Sequence, residues 1–98
     1  MLMESILNSK FDKVPVEHDT KVLCHREAKL GDCEVLYQMW VWDGYYGESF
    51  IFASDDIANL DDEQIELEVR KSPLIKQNSS LTINRSESGF TFVNFNSE

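Results

Sequence analysis

The stretch Cys33-Glu34-Val35-Leu36-Tyr37-Gln38-Met39-Trp40-Val41-Trp42 decides the architecture. In an extended chain, Cys33, Val35, Tyr37, Met39 and Val41 share one face, and Glu34, Leu36, Gln38, Trp40 and Trp42 share the other. Apolar residues on both faces are what burial on two sides produces, so this segment reads as a central strand. Upstream, Lys21–Leu30 also alternates: Val22, Cys24, Ala28 and Leu30 share a face, with Arg26 as the exception, and Leu23, His25, Glu27 and Lys29 share the other. Leu30-Gly31-Asp32 supplies turn chemistry, because glycine tolerates positive φ and aspartate bonds back to its own backbone. Downstream, Asp43-Gly44-Tyr45-Tyr46-Gly47 reads as a second turn and Ser49–Ala53 as a third strand. Three such strands form an antiparallel meander.

Residues 57–72 carry two conflicting signals. Ile65, Leu67 and Val69 alternate with Glu66 and Glu68, which suits a strand. The start signals decide for a helix over residues 61–71. Asp61 can cap it, Gln64 lies three residues on, and Leu60 and Ile65 fit a hydrophobic staple. Asp62 and Glu63 suit the positive end of the helix dipole, Arg70 and Lys71 the negative end, and Pro73 stops the helix. Ser80–Arg85 and Phe90–Asn96 form a C-terminal hairpin around Ser86-Glu87-Ser88-Gly89. At the N-terminus, Leu2, Met3, Ile6 and Leu7 fall on one side of a short helix within Met1–Ser9. The expected fold is therefore α+β. It is a five-stranded, mostly antiparallel sheet, a β-meander plus a C-terminal hairpin, with a short N-terminal helix and a second helix near residues 61–71. Helices are expected on one face of the sheet, and residues 1–98 form one globular domain.

The chain has 98 residues, 18 acids against nine Lys plus Arg, and a formal net charge of −9. That balance argues against gripping nucleic acid or docking on anionic membranes, both of which need clustered bases. Residues 30–69 contain 11 acids and no Lys, Arg or His, while the flanks are close to neutral. Such a strip is either a solvated face or a negative field for a basic partner or a cation. No apolar run approaches the roughly 20 residues of a membrane helix, and the N-terminal segment, with Glu4 and no basic start, does not read as a secretory signal. Two cysteines are too few for a disulfide scaffold, so the expected setting is cytoplasmic, with reduced thiols.

No catalytic constellation stands out. Cys24 and His25 are adjacent, so a strand points them to opposite faces and denies them a nucleophile–base pair. Cys24-x8-Cys33 lacks the short ligand spacing of a zinc site. Two surfaces remain. Asp55, Asp56, Asp61, Asp62 and Glu63 place five carboxylates within nine residues around a loop, the ligand type Ca²⁺ takes, although the EF-hand pattern is absent. Trp40, Trp42, Tyr45 and Tyr46, rimmed by Asp43 and Glu48, give an aromatic centre with acidic edges, the residue types of a protein-binding hot spot. Whether Trp40 and Trp42 are open or covered by helices turns on which sheet face the helices take. The expectation is a non-enzymatic, acidic binding protein that engages a basic protein surface, as a regulatory, inhibitor-like or immunity-like module. Trp40, Trp42, Asp43, Tyr45, Tyr46 and Glu48 would be its partner-binding residues, and it would need no cofactor. The alternative is a calcium or other divalent-cation binder using Asp55, Asp56, Asp61, Asp62 and Glu63.

Overall fold

The computed structural model describes Phe11, Val14, Pro15, residues 19–75 and residues 79–96. Five strands form one antiparallel sheet: β1 (Thr20–Leu30), β2 (Cys33–Trp42), β3 (Tyr45–Ala53), β4 (Ser80–Arg85) and β5 (Phe90–Asn96). The spatial order is β1-β2-β3-β5-β4. A 3-10 turn (Ser54–Ile57) and one helix, α1 (Asp62–Arg70), carry the chain from β3 to the far edge, and β5 returns between β4 and β3. The short N-terminal helix expected over Met1–Ser9 lies outside the described residues.

Turn chemistry fixes the meander. Leu30 pairs with Cys33 and Trp42 with Tyr45, so each connection is only two residues long. Asp43 and Gly44 both have positive φ (51° and 82°), as the tight hairpin turn matched to strand twist requires. The third strand therefore starts at Tyr45 rather than Ser49, because an Asp-Gly pair suffices where the sequence suggested a five-residue turn. A second departure lies in β1. The register shifts between Val22 and Cys24, leaving Leu23 as an extra residue. A bulge of this kind moves the alternation by one. Val22 thus pairs with Trp40 on one face, while Cys24, Arg26 and Ala28 pair with Met39, Tyr37 and Val35 on the other. Val22 does not share a face with Cys24, and Cys24 is exposed rather than a core residue.

Helix α1 forms where its start signals put it. Asp61 accepts from the Gln64 backbone N–H at 2.9 Å, and the Gln64 side chain accepts from the Asp61 N–H at 3.0 Å. Such a cap is worth about 1 kcal/mol. Ile65 and Val69, four residues apart, are buried against the sheet, and Leu67 is left exposed. Arg85 of β4 donates to Asp62 and to the Leu60 carbonyl, tying the helix start to the far edge strand. The helix covers the Val35 face. Val35, Tyr37, Phe50, Phe52, Val93 and Phe95 form the main core with Ile57, Ile65, Val69 and Ile75. A smaller cluster on the opposite face joins Leu36, Ile51 and Phe90 to Phe11.

One polar pair sits at the edge of the main core. Tyr37, 6% exposed, donates its hydroxyl to Glu48, and Arg26 lies 5.8 Å over its ring. Burial, then the hydrogen bond to Glu48 and its charge, pushes the phenol well above its usual value of 10.0. A raised folded-state pKa means that the native state holds this proton more tightly than the unfolded chain does. The linked stability is whole below pH 10 and is lost as pH climbs further. Stability measured from pH 9 upward should fall beyond about pH 10, and Tyr37→Phe should flatten that fall. Equal slopes in the two proteins would contradict the assignment.

Candidate functional site: the sheet face opposite the helix and the hairpin tip

Because α1 takes the Val35 face, Trp40 and Trp42 lie on the opposite side, part of which Phe11 and Val14 cover. Trp40 is half-buried, and its indole N–H donates to Ser49 Oγ at 2.8 Å. An indole can only donate, so Ser49 spends its own proton on Asn94 Oδ1. That fixes the Asn94 amide with its NH₂ group pointing away from Ser49. The Trp40 six-membered ring also fills the space that a Cβ on Gly47 would occupy. Cross-strand register aligns His25, Gln38, Ser49, Asn94 and Thr82 in one row across all five strands. Gln38 and Ser49 are buried in this row (9% and 2% exposed), though the neighbouring inward positions are apolar. Gln38, Ser49 and Asn94 of this row floor a groove of about 710 Å³, lined also by Trp40, Trp42, Val22, Phe92, Thr20, Asn84, Ser86 and Pro15.

The six residues expected to form one aromatic-acidic surface divide between the two faces. Trp40 and Trp42 point with Tyr45 to the groove side, and Tyr45 stacks on Trp42 with ring centroids 6.5 Å apart. Tyr46 pairs with Val41 and Glu48 with Met39, which puts both on the helix side. Glu48 is engaged by Tyr37 and does not rim the aromatic turn. What remains together is the tip of the β2–β3 hairpin. Strand β5 pairs with β3 only from Glu48 to Ala53, so the meander runs past it and carries Trp42, Asp43, Tyr45 and Tyr46 out into solvent.

Two of the five acids expected to bind a cation have structural tasks. Asp61 caps α1 and Asp62 pairs with Arg85 at 2.9 Å. Among the described residues, no group of three or more His, Cys, Asp or Glu side chains is arranged to hold a metal ion. Two more acids of the 30–69 strip meet bases from beyond it, Glu66 with Arg70 at 2.9 Å and Glu68 with Lys71 at 3.3 Å. Exposed pairs of this kind contribute little to stability, but they thin the negative field. What remains of that field lies around the 3-10 turn and α1, at the opposite end of β3 from Asp43. Nine residues of strand make that about 27 Å. Cys24 and His25 point to opposite faces, opposite Met39 and Gln38.

The groove's polar row had no signature in sequence. Gln38, Ser49 and Asn94 come from separate strands, and only the return of β5 beside β3 aligns them. The available signal was weak: a polar residue on the inward side of otherwise apolar strands. Among the described residues, no helix is long and apolar enough to cross a membrane. The chain matches no protein-family model, no curated protein and no solved structure.

Proposed function

We propose that the chain is a small, non-enzymatic binding protein that engages a basic protein surface through the tip of its β2–β3 hairpin, as a regulatory or inhibitor-like module. One observation carries this reading: Trp42, Tyr45 and Tyr46 are 46%, 67% and 68% exposed around Asp43 on a tip held by a two-residue turn. Large aromatics contribute most of the energy at protein interfaces, and a rigid tip loses little conformational freedom on binding. The net charge of −9 supplies the sign of the partner. Acids about 27 Å from the tip lie well beyond the screening length of about 8 Å in physiological salt. They bias approach and orientation rather than touch the partner at the tip.

The test replaces Trp42, Tyr45 and Tyr46 together with alanine. These side chains are exposed, so the melting temperature should stay near that of the parent. Immobilised parent protein should retain basic proteins at low salt and release them as salt rises to about 0.3 M. The triple variant should retain at least about tenfold less. Capture indifferent to both salt and the triple substitution would sink the proposal.

A further inference from the structure

Beyond the hairpin tip, we infer that the groove on the sheet face opposite α1 binds a neutral saccharide. The groove, of about 710 Å³, falls within the size range of small-molecule sites and lies half open to solvent. Among the described residues its lining includes no Asp, Glu, Lys, Arg or His, in a chain that is 28% charged. A charged ligand would find no ionised side chain to pair with among the described lining residues. A purely apolar ligand fits no better, because it would cover the amides of Gln38, Asn84 and Asn94 without satisfying them. An added peptide strand needs a free sheet edge, whereas the floor here is the face of paired strands.

A sugar ring meets each of these conditions. Its C–H face is apolar and lies flat against an aromatic ring, here Trp40 or Trp42. Its hydroxyl rim needs donors and acceptors side by side, which each carboxamide supplies in one group. The recognition atoms are also held in place before any ligand arrives. Trp40 is fixed by Ser49 and by its seat on Gly47, and Asn94 presents its NH₂ group because its oxygen is already occupied. Pre-set groups lose less freedom on binding, which suits the shallow affinities of sugar sites.

Trp40 and Trp42 are the only tryptophans in the chain, so intrinsic emission reports on the groove directly. The full-length protein should be titrated with maltotriose, cellotriose, mannotriose and triacetylchitotriose. At least one should change the emission saturably, with half-effect at about 1 mM. That value should be the same at low and high salt, since neither partner is charged. Asn84→Leu, an exposed substitution on the groove wall, should weaken the response by about fivefold or more at unchanged melting temperature. Ser86→Val serves the same purpose should the first variant not fold. No response to any of the four sugars overturns the inference. So does an undiminished response in the groove variant, or tighter binding of glucuronate or glucosamine than of the neutral sugars. Asn84 lies away from the hairpin tip, so loss of the sugar response with protein capture intact separates this site from the surface proposed above.

Discussion

Replacing Phe50 with alanine lowers the unfolding free energy by about 4 kcal/mol. The residue is completely buried in β3, the middle strand of the sheet, under the layer that α1 covers. Its ring lies 5.7 Å from that of Tyr37 and 5.3 Å from that of Phe95, so it links β2, β3 and β5. Truncation loses the transfer energy of the ring and leaves a void between three strands. Neighbours held in a hydrogen-bonded sheet have little room to close it. A domain of about 100 residues has roughly 5–15 kcal/mol in total, so this one change consumes much of the margin. Urea unfolding should show a lower midpoint at unchanged slope, and the melting temperature should fall by about 20 °C. A loss under about 1.5 kcal/mol would show that Phe50 is not the centre of the core.

The same residue illustrates what was legible in the sequence. Phe50 and Phe52 could be placed on one strand face because period-two alternation is a local property. The helix was legible for a similar reason. Asp61, Gln64, Leu60 and Ile65 lie within six residues of one another, and their capping geometry outweighed the strand-like alternation of Ile65, Leu67 and Val69. Leu67, left 63% exposed, is the residue by which that alternation misleads. The bulge at Leu23 was not legible, because nothing in Lys21–Leu30 marks where the ladder to β2 slips by one.

The candidate surfaces were only half legible, and the reason is pairing between distant segments. Trp42, Asp43, Tyr45 and Tyr46 cluster because they flank one turn, which the sequence displays. Glu48 was assigned to the same surface by proximity along the chain, but strand alternation sends it to Tyr37 on the other face. The acids of residues 55–63 are close in sequence as well. Asp61 caps α1 through nearby Gln64, which the sequence displays, but the ion pair of Asp62 depends on Arg85, which is more than 20 residues away. Asn94 reaches Ser49 across 45 residues of chain, and without that contact the groove has no ordered polar row.

Gly47→Ala is the sharpest probe of that row and is expected to cost about 3 kcal/mol. Glycine here is not required by backbone twist, since Gly47 is not among the positive-φ glycines Gly31, Gly44 and Gly89. The requirement is space. A methyl group at Gly47 would interpenetrate the Trp40 ring, whose atoms occupy the position of the missing Cβ. Gly47 is paired directly with Trp40 across the β2–β3 ladder, so the strand cannot yield without breaking its own register. The indole must therefore swing out. It then loses both its contact with the strand and its donation to Ser49, and Ser49 loses what orients it toward Asn94. The consequence separates the two proposed surfaces. Tryptophan emission should shift to the red as Trp40 meets water, and any sugar response should disappear with it. The hairpin tip beyond Gly47 keeps its turn, so capture of a basic partner should persist. A Gly47→Ala protein with parental emission and stability would mean that Trp40 can sit elsewhere, and the groove would then have no fixed aromatic wall.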